Sequence, residues 1–245
     1  MLEGMYSAAA GMAAQQHRLD SLSNDIANVN TTGYKRVRVA FRDLLYTPEW
    51  LATQQGVTEG AGAVATSIGR GLQQGAFQRT DRPLDVALQG PGFLQMRKAD
   101  GTDVLTRDGN LRFDDQGRLG NERGDLVQPA ITLPKGANAD EVKMGQDGRV
   151  TLGTQELGRL SIVNVASPDS LRALGDNNFV VTPESGEARA AGATTTVEQG
   201  ALEMSNVDMG DAMTEMLESQ RAYELASKAI QAQDRAAEIA NGIKR

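Results

Sequence analysis

The residues of this chain that could take part in catalysis are few and widely spaced. His17 is the only histidine, and Ser21 lies four residues beyond it with Asp20 beside it. Residues four apart share one face of a helix, so this pair could supply a nucleophile and a base. The G-x-S-x-G turn that exposes the serine of many hydrolases does not surround Ser21. The pattern therefore favours a solvated polar helix face.

Patterns typical of cofactor and metal sites are incomplete. The chain has no cysteine, which excludes disulfides, thiol catalysis and thiolate metal ligands. The segment GAGAVA at 60–65 matches a loose dinucleotide-binding fingerprint, but the sequence around it predicts neither the strand nor the helix that such a site needs. Aspartates beside glycines fit turns better than a calcium loop, and they are Asp100, Asp108, Asp114, Asp115 and Asp147. We predict no catalytic residue, no cofactor and no metal site.

One short segment is strongly basic. It contains Lys35, Arg36, Arg38 and Arg42. The basic residues alternate with Val37, Val39 and Phe41, a period of two that predicts a strand with one basic and one apolar face. The net charge of −7 argues against a nucleic-acid partner, which needs clustered cations. A solvated strand face remains one interpretation, and a contact with an acidic protein surface such as the region starting at Glu203 is the other.

The N-terminal residues predict an amphipathic helix. Apolar residues recur at a seven-residue step, and they are Met5, Met12, Leu19 and Ile26, with Ala8, Leu22 and Val29 on companion positions. Gly4 and Gly11 lower helix propensity, so we expect another backbone to approach closely there. Neither a Sec-type signal nor a membrane span is predicted from the first 20 residues.

The C-terminal residues predict a second helix of the same kind. The stripe comprises Met209, Met216, Tyr223, Ile230 and Ala237, flanked by Ala212, Met213, Leu217, Ala226 and Ala240. Ser205 and Asp208 have the spacing of a capping box at the start, and Asn241 with Gly242 predicts the end. Both stripes are rich in Met and Ala, which suits adaptable contacts between molecules.

In the centre of the chain, the apolar residues follow a different spacing. Short alternating apolar runs are separated by Asp-Gly, Gln-Gly and Arg-Gly pairs, which are typical of hairpins. The predicted fold class is α+β, with paired N- and C-terminal amphipathic helices forming a coiled-coil layer and a central, mainly antiparallel β domain. The predicted division is 1–46 for the first helix and following strand, 47–76 for an extended connector, 77–200 for the β domain and 201–245 for the second helix.

The segment between the first helix and the basic strand is rich in Asn and Thr. Such side chains compete for backbone hydrogen bonds, and Gly33 can adopt the left-handed conformation that ends a helix. We therefore predict that the helix ends near Gly33.

This segment also carries a family resemblance. SNDIANVNTTGYKR at 23–36 resembles the N-terminal signature of the flagellar rod and hook proteins, and GALEMSNVDMGDAMTEMLESQRAYELASKAI at 200–230 resembles their C-terminal motif. RPLDVALQGPGFLQM and LTRDGNLRFDDQGRL are similar to their central β domain. Asp25 departs from the pattern, since many relatives carry Asn there. The length and FRDLLY at 41–46 favour the distal part of the rod, while RPLDVAL is shared with the proximal part.

The resemblance implies a structural subunit and no enzyme. Such a subunit is exported through the flagellar type III channel without a cleaved signal peptide and polymerises into a tubular drive shaft in the basal body, within the cell envelope and periplasmic space. Its expected partners are other copies, other axial proteins of rod and hook, and surrounding ring proteins, with no nucleic acid, membrane insertion or small-molecule substrate. The predicted assembly interface comprises Met5, Met12, Leu19, Leu22, Ile26, Asn28, Gly33, Tyr34, Met209, Met213, Met216, Tyr223 and Ile230.

Alternatives from other functional classes remain open at this point. A proximal rod or hook-type subunit would share the same motifs. A cell-wall-acting enzyme could place paired carboxylates on the β domain, although aromatic residues, at 4%, offer little platform for sugars. A monomeric adaptor could use the terminal helices to bind one partner.

Overall fold

A computed structural model of the chain describes residues 2–46, 59–192 and 195–242. Its two long helices are α1 (Leu2–Ala27) and α2 (Met209–Gly242). The contacts divide the chain into two compact units. Unit 1 contains the described residues of 1–27, 37–68 and 208–245, and unit 2 contains those of 28–36 and 69–207. The four-part division predicted from the sequence stays a prediction.

The helices of unit 1 pack as an antiparallel pair. Near the start of α1, a Cβ atom on Gly4 would lie 2.5 Å from Nε2 of Gln233, close to the end of α2. Further along, Nη2 of Arg18 lies 3.3 Å from Oε2 of Glu215, near the start of α2. The predicted pairing of the terminal helices is therefore confirmed.

The buried side of α2 is made of small residues. Ala212 and Ser219, seven residues apart, are each 1% exposed, and Ala14 and Leu22 are buried on α1. Of the predicted stripe, Met209 and Tyr223 are exposed, while Met216 and Ile230 are half-buried. Small side chains allow two helices to approach closely, and several large apolar side chains of α2, including Met213 and Leu217, remain exposed.

A two-stranded sheet lies against α1 in unit 1. It consists of β1 (Val37–Tyr46) and β2 (Glu59–Arg70). The backbone N–H of Val37 donates to Oδ1 of the buried Asp25 at 3.1 Å. A Cβ atom on Gly62, which has φ +99, would lie 2.8 Å from Cβ of Ala10. The basic strand predicted after the first helix is thus confirmed, and β2 lies in the predicted connector, of which residues 47–58 fall outside the described residues.

The largest sheet of unit 2 has nine strands. Its main path runs β14-β15-β6-β5-β9-β8-β7, and β13 pairs with both β5 and β16. The strands are β5 (Phe93–Arg97), β6 (Asp103–Thr106), β7 (Leu111–Phe113), β8 (Leu119–Asn121), β9 (Leu126–Val127), β13 (Ile162–Asn164), β14 (Arg172–Gly175), β15 (Asn178–Val180) and β16 (Arg189–Ala190).

Three small sheets complete unit 2. They are β18-β3, β17-β4 and β10-β11-β12. Their strands are β3 (Phe77–Arg79), β4 (Val86–Gln89), β10 (Val142–Met144), β11 (Arg149–Leu152), β12 (Gln155–Arg159), β17 (Thr196–Gln199) and β18 (Ala201–Glu203). The strand pairs of unit 2 are antiparallel, so the α+β class with a central antiparallel region is confirmed.

Hairpin turns occur where the sequence predicts them. Asp100-Gly101 joins β5 to β6, and the backbone N–H of Lys98 donates to the carbonyl of Thr102 at 2.9 Å. Asp147-Gly148 joins β10 to β11 in the same way. The strands enclose a continuous apolar core that includes Leu94, Met96, Val104, Leu111, Leu119, Val127 and Ile131.

Several local predictions about the helices are wrong. Helix α1 ends at Ala27, six residues before Gly33, because Asn28 and Thr31 close a turn there. Oδ1 of Asp208 accepts from the N–H of Asp211 at 3.0 Å, so Asp208 caps α2 and the predicted capping box at Ser205 does not form.

The predicted close backbone approach at the helix glycines is also wrong. Gly4 faces the side chain of Gln233, and no atom of the described residues lies within 4 Å of a Cβ placed on Gly11. The close approach to α1 occurs at Gly62 of β2. In the described part of the chain, neither helix has an apolar stretch long enough to cross a membrane.

Leu119→Ala should destabilise the β core. Leu119 is 0% exposed within the apolar core, and truncating such a leucine costs about 2–5 kcal/mol. Leu174→Ala, at an exposed position of β14, is the matched control and should cost less than about 1 kcal/mol. Urea unfolding of the purified chain measures both values, and equal losses would contradict the described core.

Candidate assembly surface

The segment that follows α1 begins as a tight turn built by its own side chains. The N–H of Thr31 donates to the carbonyl of Asn28 at 3.1 Å, and Oγ1 of Thr31 donates to Oδ1 of Asn28 at the same distance. Short polar side chains of this kind replace the backbone partners that a continuing helix would supply.

The next two residues attach the segment to the β core of unit 2. Oγ1 of Thr32 donates to Oδ1 of Asp108 at 2.9 Å, and Nδ2 of Asn177 donates to the carbonyl of Thr32 at 2.7 Å. The N–H of Gly33 donates to the carbonyl of Glu203 at 2.8 Å. Gly33 has φ +67, and a Cβ atom there would lie 2.6 Å from the backbone N of Asp108. Both the backbone conformation and the close packing therefore require glycine at this position.

Three charged residues meet inside unit 2, and we call them the ionic cluster: Lys35, Arg107 and Glu203. Nζ of Lys35 lies 2.5 Å from Oε1 of Glu203, and Nη1 of Arg107 lies 3.0 Å from Oε2 of the same carboxylate. The side chains of Lys35 and Glu203 are fully buried, and that of Arg107 is 4% exposed. Two cations thus share one carboxylate that is shielded from water.

Backbone groups complete the ionic cluster. Lys35 also donates to the carbonyl of Gln73 at 2.7 Å, and Nη2 of Arg107 donates to the carbonyl of Gly90 at 2.8 Å. Oε1 of Glu203 accepts a further bond from the N–H of Gly75 at 3.0 Å. Burial lowers the pKa of Lys35, while the negative charge of Glu203 acts in the opposite direction.

Further contacts of the segment come from two other parts of unit 2. The guanidinium of Arg70 lies 5.0 Å from the ring centroid of the buried Tyr34, a cation–π contact. Oδ1 of Asn206 accepts from the N–H of Arg36 at 2.8 Å, and Nδ2 of Asn206 donates to the carbonyl of Gly71 at 2.6 Å. Residues 28–36, 69–75 and 203–206 are therefore joined by polar contacts.

These contacts correct the interpretation of the basic segment. Lys35 does not belong to an exposed patch, because its partner Glu203 lies inside the same unit. Arg38 and Arg42 are exposed on β1. The sequence suggested that the acidic region from Glu203 onward could face the basic residues, but it gave no sign that one such pair is internal.

The largest exposed apolar side chains of the helices lie mainly on α2. Met213 is 54% exposed and Leu217 is 56% exposed, and with Met209 they recur every four residues along one row. The other exposed members are Tyr6 on α1 and Tyr223, Leu225 and Ile239 on α2. We call this set the exposed helix surface. Side chains of this size on several turns of a helix are typical of a contact with another chain.

The predicted interface residues fall into three groups by burial. Leu22, Gly33 and Tyr34 are buried within the chain itself. Half-buried residues are Met5, Met12, Leu19, Ile26, Asn28, Met216 and Ile230. Met209, Met213 and Tyr223 are exposed.

Sequence reasoning missed Tyr6, Leu225 and Ile239 as surface residues. They lie off the seven-residue stripes on which the prediction depended. The small residues at 212 and 219, which share a seven-residue step, were the signal that could have identified the buried side of α2. Among the described residues, no group of acidic or histidine side chains is arranged to hold a metal ion.

Three protein-family models match separate parts of the chain. "Flagella basal body rod protein" matches residues 5–35, "Flagellar hook protein FlgE/F/G D1 domain" matches 87–152, and "Flagellar basal body rod FlgEFG protein C-terminal" matches 198–243. Each match contains one member of the ionic cluster, namely Lys35, Arg107 and Glu203 respectively.

Curated relatives match over nearly the full length. A flagellar basal-body rod protein FlgG of Borreliella burgdorferi is 36% identical over 264 residues, covering 100% of both chains. The FlgG proteins of Caulobacter vibrioides and Agrobacterium fabrum are 38% and 40% identical, and each alignment covers 95% of this chain and 96% or 95% of the relative.

Gly33→Ala should destabilise unit 2 by two separate effects. A left-handed backbone costs an alanine about 1–2 kcal/mol, and the clash with Asp108 adds roughly 1–3 kcal/mol. Gly101→Ala is the matched control, because Gly101 has φ +86 but, within the part of the chain that the structure describes, no atom lies within 4 Å of a Cβ placed there. Urea unfolding should show a clearly larger loss for Gly33→Ala. Equal losses would mean that the segment is not packed against Asp108.

Asp108 should make the stability of unit 2 depend on pH. Burial raises the pKa of Asp108 above its ordinary value of 3.8, although hydrogen bonds from Thr32 and Asn110 act in the opposite direction. The folded state then binds a proton more tightly than the unfolded state, so stability rises as the pH falls through the raised pKa toward 3.8.

Asp108→Asn removes this titration and serves as the comparison. The free energy of unfolding of the unmodified chain, relative to that of Asp108→Asn, should increase as the pH is lowered from neutral toward 3.8. Urea unfolding at a series of pH values measures the difference. A difference that falls with decreasing pH would contradict the described environment of Asp108.

Proposed function

This chain belongs to the flagellar basal-body rod protein family and is a structural subunit of the rod, and we propose that it polymerises through the exposed helix surface. The predicted family is confirmed by relatives that match its full length, and the FlgG relatives support the distal-rod subtype. Because the family is structural, the chain is not an enzyme, and the alternative of a cell-wall-acting hydrolase is set aside.

The exposed helix surface is the observation that carries this proposal. Burying one large apolar side chain contributes roughly 1.5–3 kcal/mol. Met209, Met213 and Leu217 are left in water by the α1–α2 pair, so a contact with another copy would gain this free energy at several turns of one helix. The small-residue packing of α2 against α1 explains why these side chains remain available.

The form of the assembly follows from the kind of contact. A surface on α2 that packs against a different surface of the next copy repeats head to tail, and a repeat that does not close builds a helical polymer. Such a polymer is a stiff shaft that can transmit torque. The proposed partners are other copies of this chain and the axial proteins of rod and hook, with surrounding ring proteins as further contacts.

The place and route of assembly belong to the same proposal. Rod subunits act in the basal body, so we place this chain in the cell envelope and periplasmic space. We propose export through the flagellar type III channel without a cleaved signal peptide. The exposed Met209, Met213 and Tyr223 are retained as assembly residues, and Leu217 and Leu225 are added to them.

A double substitution on the exposed helix surface tests the proposal. Met213→Lys with Leu217→Lys should abolish swimming, because two side chains together forfeit roughly 3–6 kcal/mol at every repeated contact. The double variant is expressed in a bacterial strain that makes no unmodified copy of this protein. Swimming-halo diameter and electron microscopy of isolated basal bodies are the measurements.

Two controls separate lost assembly from lost folding. Gln116→Lys adds the same kind of charge at an exposed turn of unit 2 and should leave swimming unchanged. The purified double variant should retain the helical circular dichroism of the unmodified chain. Normal halos and complete rods in the double variant would refute assembly through this surface.

A further inference from the structure

The ionic cluster contains more positive than negative charge. Lys35 and Arg107 are both cationic side chains, and Glu203 is the single carboxylate within ion-pair distance of either one in the described residues. We propose that Glu203 is a counter-ion latch: residues 28–36 dock onto the rest of unit 2 only when the carboxylate of Glu203 lies between the two cations. The inference is independent of the proposed function.

The need for the carboxylate follows from the geometry of the ionic cluster. Each oxygen of Glu203 engages one cation, at 2.5 Å for Lys35 and 3.0 Å for Arg107. Without it, two like charges would face each other in a place from which water is excluded. The carbonyls of Gln73 and Gly90 each accept one hydrogen bond, but they carry no net charge to balance the cations.

Other contacts of the segment depend on the same C-terminal residues. Gly33 donates to the backbone of Glu203, and Asn206 accepts from the N–H of Arg36 while donating to the carbonyl of Gly71. If β18 and the residues after it are not in place, the segment loses these bonds together with the carboxylate. Docking of residues 28–36 is therefore conditional on residues 203–206.

The order of the three residues along the chain means that the condition for docking is met late in synthesis or threading. Lys35 and Glu203 are 168 residues apart, and Arg107 lies between them. When the chain is made or threaded from its N-terminus, both cations are available long before their counter-ion. The latch keeps residues 28–36 undocked until nearly the whole chain is present, and it then fixes the segment that directly follows α1 to the residues that directly precede α2.

The charge balance predicts an unequal response to substitution. Lys35→Met leaves one cation and one carboxylate, and Arg107→Met does the same. Glu203→Gln leaves two cations, and its amide NH2 group must face one of them. A purely structural role, in which each side chain simply fills space, would make the three substitutions similarly damaging.

Hydrogen exchange of the full chain, followed by mass spectrometry, tests the latch. In Glu203→Gln, amides of residues 28–36 should exchange on the order of 100-fold faster, as expected when one partner of a buried pair is removed. The core strands β8 and β9 should change by less than about 3-fold. Lys35→Met should stay within about 10-fold of the unmodified chain, because its remaining pair is balanced.

Amine acetylation of the same proteins gives a second measurement. Lys35 should react slowly in the unmodified chain and rapidly in Glu203→Gln, while the exposed Lys143 reacts equally in both. Unchanged protection of residues 28–36 in Glu203→Gln would overturn the proposal. Equal loss of protection in Lys35→Met and Glu203→Gln would overturn it as well.

If Glu203→Gln unfolds unit 2 as a whole, a double variant tests whether repulsion between Lys35 and Arg107 is the cause. Adding Lys35→Met to Glu203→Gln removes one of the two opposed cations, so protection of the core strands should rise relative to Glu203→Gln alone. In the unmodified background, Lys35→Met should lower or leave unchanged that protection. A double variant less protected than Glu203→Gln would contradict repulsion between the cations.

Discussion

A carboxylate removed from water must be matched by nearby donors, and Glu203 meets this requirement with side chains from two distant parts of the chain. Its oxygens are shared by Lys35, Arg107 and the N–H of Gly75. Desolvating three charges costs about as much as their attraction returns, so the ionic cluster contributes little net stability over an apolar substitute. We propose that its effect is selective, because the carboxylate pairs with both Lys35 and Arg107 in the arrangement in which residues 28–36 are docked. Thr32, Gly33 and Asn206 make their hydrogen bonds in the same docked arrangement.

The helices obey a second constraint, which concerns side-chain size. Ala212 and Ser219 occupy the buried side of α2, while Met213 and Leu217 remain in water. A helix that packed only within its own chain would place the large side chains inside, since they contribute most to burial. The observed arrangement leaves apolar area exposed, and we propose that other copies cover it. This is what a subunit of a polymeric shaft needs, and it links the packing of α1 and α2 to the function of the rod family.

Local signals made much of the fold predictable. Asp100-Gly101 and Asp147-Gly148 identified hairpins because their turn conformations depend on adjacent residues. The period of two in Val37, Val39 and Phe41 identified β1, because this pattern also depends only on residues close together in sequence.

Features that depend on distant residues were not predictable from one sequence. Lys35 looked like a surface cation because its partner lies 168 residues away. The seven-residue apolar stripe of α2 did not reveal that the small residues Ala212 and Ser219 would be its most deeply buried positions. The end of α1 at Ala27 was missed because Gly33 has its left-handed conformation for contact with Asp108 and Glu203, and not to end the helix.

We propose that other copies of the chain cover the exposed helix surface. A cryo-electron microscopy structure of the polymer formed by this chain tests that claim directly, because it shows the surroundings of each side chain. We expect Met213, Leu217 and Leu225 to be buried against helices of neighbouring copies. A polymer in which these side chains remain in solvent, with its contacts made by unit 2 alone, would contradict it.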